Sequence, residues 1–253
     1  MVEYKLAATP PWVKRKGEFG DNCVLQLAPE TVEAGESGKF QLSLLHKGGK
    51  RALHGIRIRL AMLSGHLTLS LGGDRHSIDF GPGVTGHYDV RMWRTSSLNI
   101  GRGTTSTRTR IVCDHADVTV GEDCMFSSDI LVQAGDQHPL IDLKTGDVMN
   151  DTRRRIALGD HVWIGRAAIL MADVQIGRGA IVGTGAVVTN DVPATSVAAG
   201  VPARVLRTDT TWSRQFGSFD THAQALLQER GLVQPDTDDA PDSNLTEDES
   251  ADD

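Results

Sequence analysis

Between Ile164 and Val192 the chain repeats every six residues, and few folds tolerate so short a period. Ile164, Leu170, Ile176, Val182 and Val188 stand six apart, and four places after each comes Ala168, Val174, Ala180, Ala186 or Val192. A six-residue unit is long enough for a short strand and a tight corner, with one aliphatic side chain aimed inward. One such unit buries almost nothing alone. Stacked coils bury those side chains in a continuous core, so the period implies a parallel β-solenoid.

The same spacing recurs upstream in fragments. Ile78, Val84 and Val90 lie six apart, as do Val120, Phe126 and Val132, with Cys124 and Ile130 four places on. The register slips near 105–114. These fragments read as earlier coils, with an antiparallel sandwich as the alternative. Further upstream, Phe40-Gln41-Leu42-Ser43-Leu44 and Ile56-Arg57-Ile58-Arg59-Leu60 alternate apolar with polar residues, as half-buried strands do. The Gly48-Gly49 pair between them reads as a turn. Residues 1–23 read as an irregular arm. Past the repeat, Trp212, Phe216, Phe219, Ala223, Leu226 and Leu227 fall at helical spacings, with Asp209 or Thr210 as N-cap. The expected division is a β-rich region over 1–64, a repeat domain over 65–208, a helix over 209–231 and an acidic, disordered tail over 232–253.

Composition agrees with narrow coils, since aromatics make up only 5% while glycine counts 27. The net charge of −7 is concentrated: nine acidic and no basic residues follow Gly231, leaving the rest near +2. A nearly neutral body argues against a nucleic-acid partner. Cys23, Cys113 and Cys124 have no metal-type spacing and are odd in number, so reduced thiols in a cytoplasmic protein are expected. The N-terminus has no secretory pattern, and no apolar run is long enough for an integral membrane segment. Peripheral attachment at the inner membrane stays open.

Residues 133–157 interrupt the repeat. They run through Gly135-Asp136-Gln137-His138-Pro139 and Asp142-Leu143-Lys144-Thr145-Gly146 to Arg153-Arg154-Arg155, and the hexads resume at Leu158. A long insertion between regular coils is costly to order and is more often functional than decorative.

The block His161-Val162-Trp163-Ile164-Gly165, the five hexads, Asp191-Val192-Pro193 and Ala199-Gly200-Val201-Pro202-Ala203-Arg204 resemble the hexapeptide-repeat acyltransferases. The nearest branch holds maltose and galactoside O-acetyltransferases and bacterial polysaccharide O-acetyltransferases. Cys124 to Ile130 and the Gly135–Gly146 stretch look most like the polysaccharide members, and the match covers roughly 96–207. This resemblance implies a left-handed parallel β-helix assembled as a homotrimer, with sites between subunits and acetyl-CoA lying along the coils. It assigns His138 as general base and Trp163 to the lining of the site. Cofactor contacts then fall on Arg166, Thr184, Thr189, Asn190, Arg204 and Arg207. Arg166 replaces a residue that is usually small in the sugar enzymes of this family, and Asn190 stands where lysine is common.

The expected reaction moves an acetyl group from acetyl-CoA to a saccharide hydroxyl, on a polysaccharide or its precursor. An alcohol needs a base near neutral pH, and imidazole titrates in that range. A histidine in a polar loop is ordinarily a solvated residue, but this loop breaks an otherwise regular repeat. Asp136, Asp142 or a backbone carbonyl would orient its ring. Trp163 reads as a site residue with cover for a coil edge as the weaker alternative, His115 and His161 read as corners, and Arg153–Arg155 reads as a solvated face or, as the minority reading, an attractor of an anionic glycan. Alternatives are an N-acetyltransferase on an amino sugar, a xenobiotic acetyltransferase, a β-helical carbonic anhydrase and a non-catalytic scaffold. His115, His138 and His161 form no ligand motif, so no metal is expected.

Overall fold

The computed structural model describes residues 1–232, so the acidic tail lies, except for its first residue, outside the described residues. Two compact units are distinguished, Met1–Trp212 and a second starting at Ser213. The first begins with β1 (Val2–Lys5), β2 (Lys14–Lys16), β3 (Val24–Leu27), helix α1 (Pro29–Glu36) and β4 (Phe40–His46). Two long strands follow, β5 (Arg57–Leu71) and β6 (Ser77–Met92), then β7 (Ser97–Ile100), β8 (Thr105–Cys113), β9 (Ala116–Val120), β10 (Met125–Phe126) and β11 (Ile130–Ala134). After the interruption come β12 (Arg154–Leu158), β13 (Trp163–Ile164), β14 (Ile169–Met171), β15 (Val174–Ile176), β16 (Ile181–Val182) and β17 (Val187–Val188). The unit closes with β18 (Val197–Gly200) and β19 (Ala203–Arg207).

The strands stack into a solenoid of about seven turns with three faces. The first face carries β3, the start of β5, the start of β6, β7, β9, β12 and β15, all parallel. The second carries β10, β13, β16 and β18 under the opening residues of β8. The third carries β2, β4, the far halves of β5, β6 and β8, then β11, β14 and β17. Pairing between coils is parallel throughout, which rules out the antiparallel sandwich.

Stacking starts well before residue 65. Val24–Leu27 pairs in parallel with Arg57–Leu60, and Phe40–His46 with Gly65–Leu71. A boundary at 64 therefore falls inside β5, and residues 24–64 already build coils. The supposed irregular arm also supplies strands, β1 antiparallel to β3 and β2 parallel to β4. Coil length explains why the hexads fade upstream. Contacts between equivalent positions span 20 residues in the early coils, as in Arg59 to Asp79 and Ser97 to Asp117. Below the interruption they span 18, as in Arg155 to Asp173. Two additional residues per turn sit at corners and bulges, and β5 and β6 shift register where they bend.

The inward side chains form one core. Ile164, Leu170, Ile176, Val182 and Val188 are essentially fully buried, as are Ile78, Val84, Val90, Phe126 and Val132. Burying each such aliphatic side chain stabilises by roughly 1.5–3 kcal/mol relative to exposure.

Corners are made by residues in the left-handed backbone region. Between the first and second faces these are Gly103, Asp123, His161, Gly179 and Thr195, and between the second and third they are Asp129, Ala167 and Gly185. Each lower residue donates its amide to the coil above: His161 to the Glu122 carbonyl, Gly185 to that of Arg166. His161 is thus a corner, and a fully buried one. Its ring stacks on Trp212 with centroids 4.3 Å apart, Nδ1 lies 2.7 Å from Asp123 Oδ2, and Nε2 lies 2.9 Å from the Trp212 carbonyl. Trp212 Nε1 donates back to the His161 carbonyl at 2.9 Å.

Trp212 consequently ends the first unit and does not belong to the C-terminal helix. That helix, α2, is confined to Thr221–Glu229. Its N-cap is Asp220, whose carboxylate accepts from the Ala223 amide, in place of Asp209 or Thr210. Gly217, in the left-handed region, breaks the longer helix that the apolar spacing suggested. Helix α1 was hidden for the opposite reason, being short and lacking an apolar stripe. Among the described residues, no helix is long and apolar enough to cross a membrane.

Candidate active site

The interruption leaves the solenoid where the third face turns toward the first. Gly135 makes the departure at φ 115°, and a Cβ there would lie 2.3 Å from the Asp114 carbonyl of the coil above. The loop folds back on itself through an Ile141–Val148 bridge and a Met149 amide to Leu140 carbonyl bond of 2.8 Å. His138 lies on the outgoing limb, exposed, in a cleft of about 340 Å³. Arg94, Asp136, Asn150 and Asp151 line the same cleft.

Neither carboxylate proposed to orient the imidazole does so here. Asp136 accepts from Asn150 Nδ2 at 3.1 Å, and Asp142 accepts from the Lys144 amide at 2.7 Å within the loop's own turn. The basic run is not a free cationic patch either. Arg153 reaches both oxygens of Asp117 and the Thr95 carbonyl, and Arg154 pairs with Asp173 at 3.0 Å. Arg153 and Ser97 hold the Asp117 carboxyl below its usual range. These pairs offset much of the positive charge and bind the resumed β12 to neighbouring coils.

The other predicted residues collect at a different edge. Trp163 opens β13 on the second face, in register with Met125 above and Ile181 below. It is half-buried, and its enclosed Nε1 finds no acceptor among the described residues. Arg166 and Thr184 are exposed at the corner between second and third faces, on successive coils. The coils approach closely there because of glycine: a Cβ on Gly165 would lie 2.6 Å from the Thr184 amide nitrogen. Arg204, paired with Ala199, ends up beside this corner on β19, and Arg207 pairs with Val197 further along the second face. Thr189 and Asn190 instead occupy the edge from which the His138 loop departs, and Asn190 Nδ2 donates to Thr189 Oγ1 at 3.1 Å. One chain therefore brings together Trp163, Arg166, Thr184, Arg204 and Arg207 on one side of the third face, and His138, Thr189 and Asn190 on the other.

Sequence reasoning missed Arg94, Asn150 and Asp151. Arg94 Nε meets the buried Asp114 at 2.7 Å while Nη1 meets Asp151 at 2.5 Å, which ties the loop's exit to a coil above. Arg94 lies 57 residues from Asp151, so only knowledge of the coil register could have paired them. His115, at a left-handed corner, has a buried Nδ1 without a partner among the described residues and is not among the residues lining the His138 cleft.

Comparison with known proteins gives a consistent assignment. Residues 156–190 match the bacterial transferase hexapeptide (six repeats) family. A polysialic acid O-acetyltransferase of Escherichia coli O1:K1 / APEC is 33% identical over 127 residues, 50% of this chain and 41% of that protein. The galactoside O-acetyltransferase of Escherichia coli K12 is 32% identical over 114 residues, 44% of this chain and 54% of the relative. The chain thus spans about half the length of these curated relatives. The crystal structure of the polySia specific acetyltransferase NeuO superposes with a TM-score of 0.68 at 25% identity, covering 86% of this chain and 97% of that one. Hexad repeat, solenoid and relatives agree: the chain carries the bacterial transferase hexapeptide repeat over residues 156–190, and the relatives it resembles are O-acetyltransferases of the polysialic acid and galactoside kind.

Proposed function

We propose that this protein is an acetyl-CoA-dependent O-acetyltransferase that acetylates a saccharide hydroxyl, on a polysaccharide or its precursor, with His138 as general base. The observation that carries this reading is the loop at the third corner, which lifts one imidazole out of a regular solenoid into an open cleft. The names of the relatives, polysialic acid and galactoside O-acetyltransferases, point to sugar hydroxyls as the acceptor class. Neutral His138 takes the hydroxyl proton as the acceptor oxygen attacks the thioester carbonyl. The tetrahedral intermediate collapses with cleavage of the C–S bond, and the imidazolium returns its proton to the departing thiolate. Such a base contributes roughly 10²–10⁴-fold.

The two groups of site residues fit this chemistry if neighbouring chains of a homotrimer bring one edge to the other. Arg166, Thr184, Arg204 and Arg207 would then hold acetyl-CoA along the coils of one subunit, the arginines through charge-assisted contacts to phosphate. Thr189 and Asn190 would complete the contact from the edge that carries the partner's His138 loop. Outward-facing apolar residues support such packing. Leu131, Ile169 and Val187 stack down the third face, and Met125, Trp163, Ile181 and Val197 down the second.

The test is thiol release from acetyl-CoA with polysialic acid, galactosides and other sugars as acceptors. His138→Ala should lose at least about 10²-fold in kcat. Full retained transfer removes His138 from the mechanism, and absence of acetyl-CoA binding by calorimetry removes the enzyme reading altogether. Subunit-shared sites have their own test. Co-refolding His138→Ala with a variant lacking Arg166 and Thr184 side chains should restore part of the activity, because mixed trimers contain one intact edge pair.

A further inference from the structure

We infer that Asn150 is a positioning residue for the reaction, fixing the backbone on which His138 is mounted; this rests on the reading of His138 as the base. The loop that carries His138 leaves the coil at Gly135 and returns at Asn150-Asp151. Asn150 is the buried member of this loop, 8% exposed amid neighbours that are mostly open to solvent. Its amide group reaches across the neck and uses both ends on the outgoing limb. Oδ1 accepts from the Leu140 amide at 2.8 Å, while Nδ2 donates to the His138 carbonyl at 2.9 Å and to Asp136 Oδ2 at 3.1 Å.

These three bonds bracket the histidine. Asp136 is held two residues before it, His138 at its own carbonyl, and Leu140 two residues after. The imidazole itself is left exposed in the cleft, so the clamp fixes the mount without occupying the base. The adjacent Asp151 adds a second point of attachment through Arg94 and the buried Asp114. Only a primary amide of this length can accept from one amide hydrogen and donate to both a carbonyl and a carboxylate. Aspartate has the same shape, but would set a carboxylate against the His138 carbonyl and the Asp136 carboxylate. A base displaced by about 1 Å from its working geometry can lose on the order of 10²-fold in rate.

The experiment combines Asn150→Ala, Asn150→Asp and His138→Ala in the full chain, with acetyl-CoA and the best saccharide acceptor. Expected results are a loss of roughly 10²-fold in kcat for either Asn150 variant, unchanged KM for acetyl-CoA and an unchanged melting midpoint. Added to His138→Ala, Asn150→Ala should cost nothing further, because a mount without a base has nothing to position. A multiplicative loss in that double variant, or wild-type kcat in Asn150→Ala, overturns the inference. Amide hydrogen exchange at Leu140 reads the clamp independently of turnover. It should accelerate in Asn150→Ala while amides of the coils stay protected, and unchanged protection overturns the clamp. If His138→Ala alone keeps full activity, the general-base reading fails at that step, whatever Leu140 exchange shows.

Discussion

The corner between the second and third faces offers a paired test of what holds the coils in shape. Ala167 and Gly185 occupy the same corner position on successive coils, at φ 56° and φ 69°, and both donate their amides to the coil above. A Cβ on Gly185 would meet nothing within 4 Å, so the backbone conformation alone decides the effect of adding one. An L-residue in the left-handed region costs about 1–2 kcal/mol. Against this, replacing glycine by alanine lowers the entropy of the unfolded chain, an offset of about 0.4–1 kcal/mol. Gly185→Ala should therefore destabilise by about 1 kcal/mol net, and Ala167→Gly should stabilise by a similar amount. In a chain of this size each step moves the melting midpoint by about 2–4 °C, and urea unfolding followed by circular dichroism reads the same change as a shift in midpoint. Movement of both variants in the same direction would refute the reasoning, since it would mean that the corner is shaped by side-chain packing and not by backbone strain.

Other substitutions probe different layers. Gly165→Ala has ordinary φ but places a methyl 2.6 Å from the Thr184 amide nitrogen, so it should cost about 2–3 kcal/mol and weaken acetyl-CoA binding by calorimetry. Leu170→Ala opens a cavity in the hexad core and should lower stability by about 2–5 kcal/mol in urea titration. His76, enclosed and neutral, has its pKa pushed down by burial to about 4 from an ordinary 6.5. The unfolded chain takes up that proton first, so stability is full above pH 6.5 and falls toward pH 4 by up to about 3 kcal/mol. Urea midpoints at pH 7 and pH 4.5 should show the loss, and it should shrink in His76→Gln. Burial raises the Cys113 and Cys124 thiols to about 12, so iodoacetamide at pH 8 should leave both unlabelled until urea is added.

The lower coils were legible because their physics is local. Each hexad from Ile164 onward repeats the same strand, the same inward aliphatic and the same corner, so a period of six shows directly in the sequence. The upper coils obey the same stacking with a longer turn. Their residues at 57, 77, 97 and 117 lie in one column, but bulges in β5 and β6 spread the additional residues unevenly and no single period survives. The alternation at Phe40–Leu44 identified a strand correctly and was silent about its parallel partner, because pairing is a property of two segments. His138 stood out only because the repeat around it is regular. The clamp on its loop did not, since Asn150 resembles any other polar loop residue until its three bonds are seen. The paired arginines carried a similar limit: Arg153 and Arg154 read as solvated charge, and their partners Asp117 and Asp173 lie in other coils.

The antiparallel pairs at the two extremes of the coil stack, β1 on β3 and β18 on β19, bear on how such a molecule can grow. A parallel coil ends in unpaired strand edges, and an identical coil from another copy would be an ideal partner for them. A strand running the opposite way occupies part of each terminal edge and presents a hydrogen-bond pattern that the next parallel coil does not match. Polymerisation along the coil axis is discouraged at both ends, while the interior remains open to change. An additional 18-residue turn inserted between β14 and β17 would meet compatible edges above and below. In this architecture the number of turns is free to drift, and it is the two reversed strands that make any given number final.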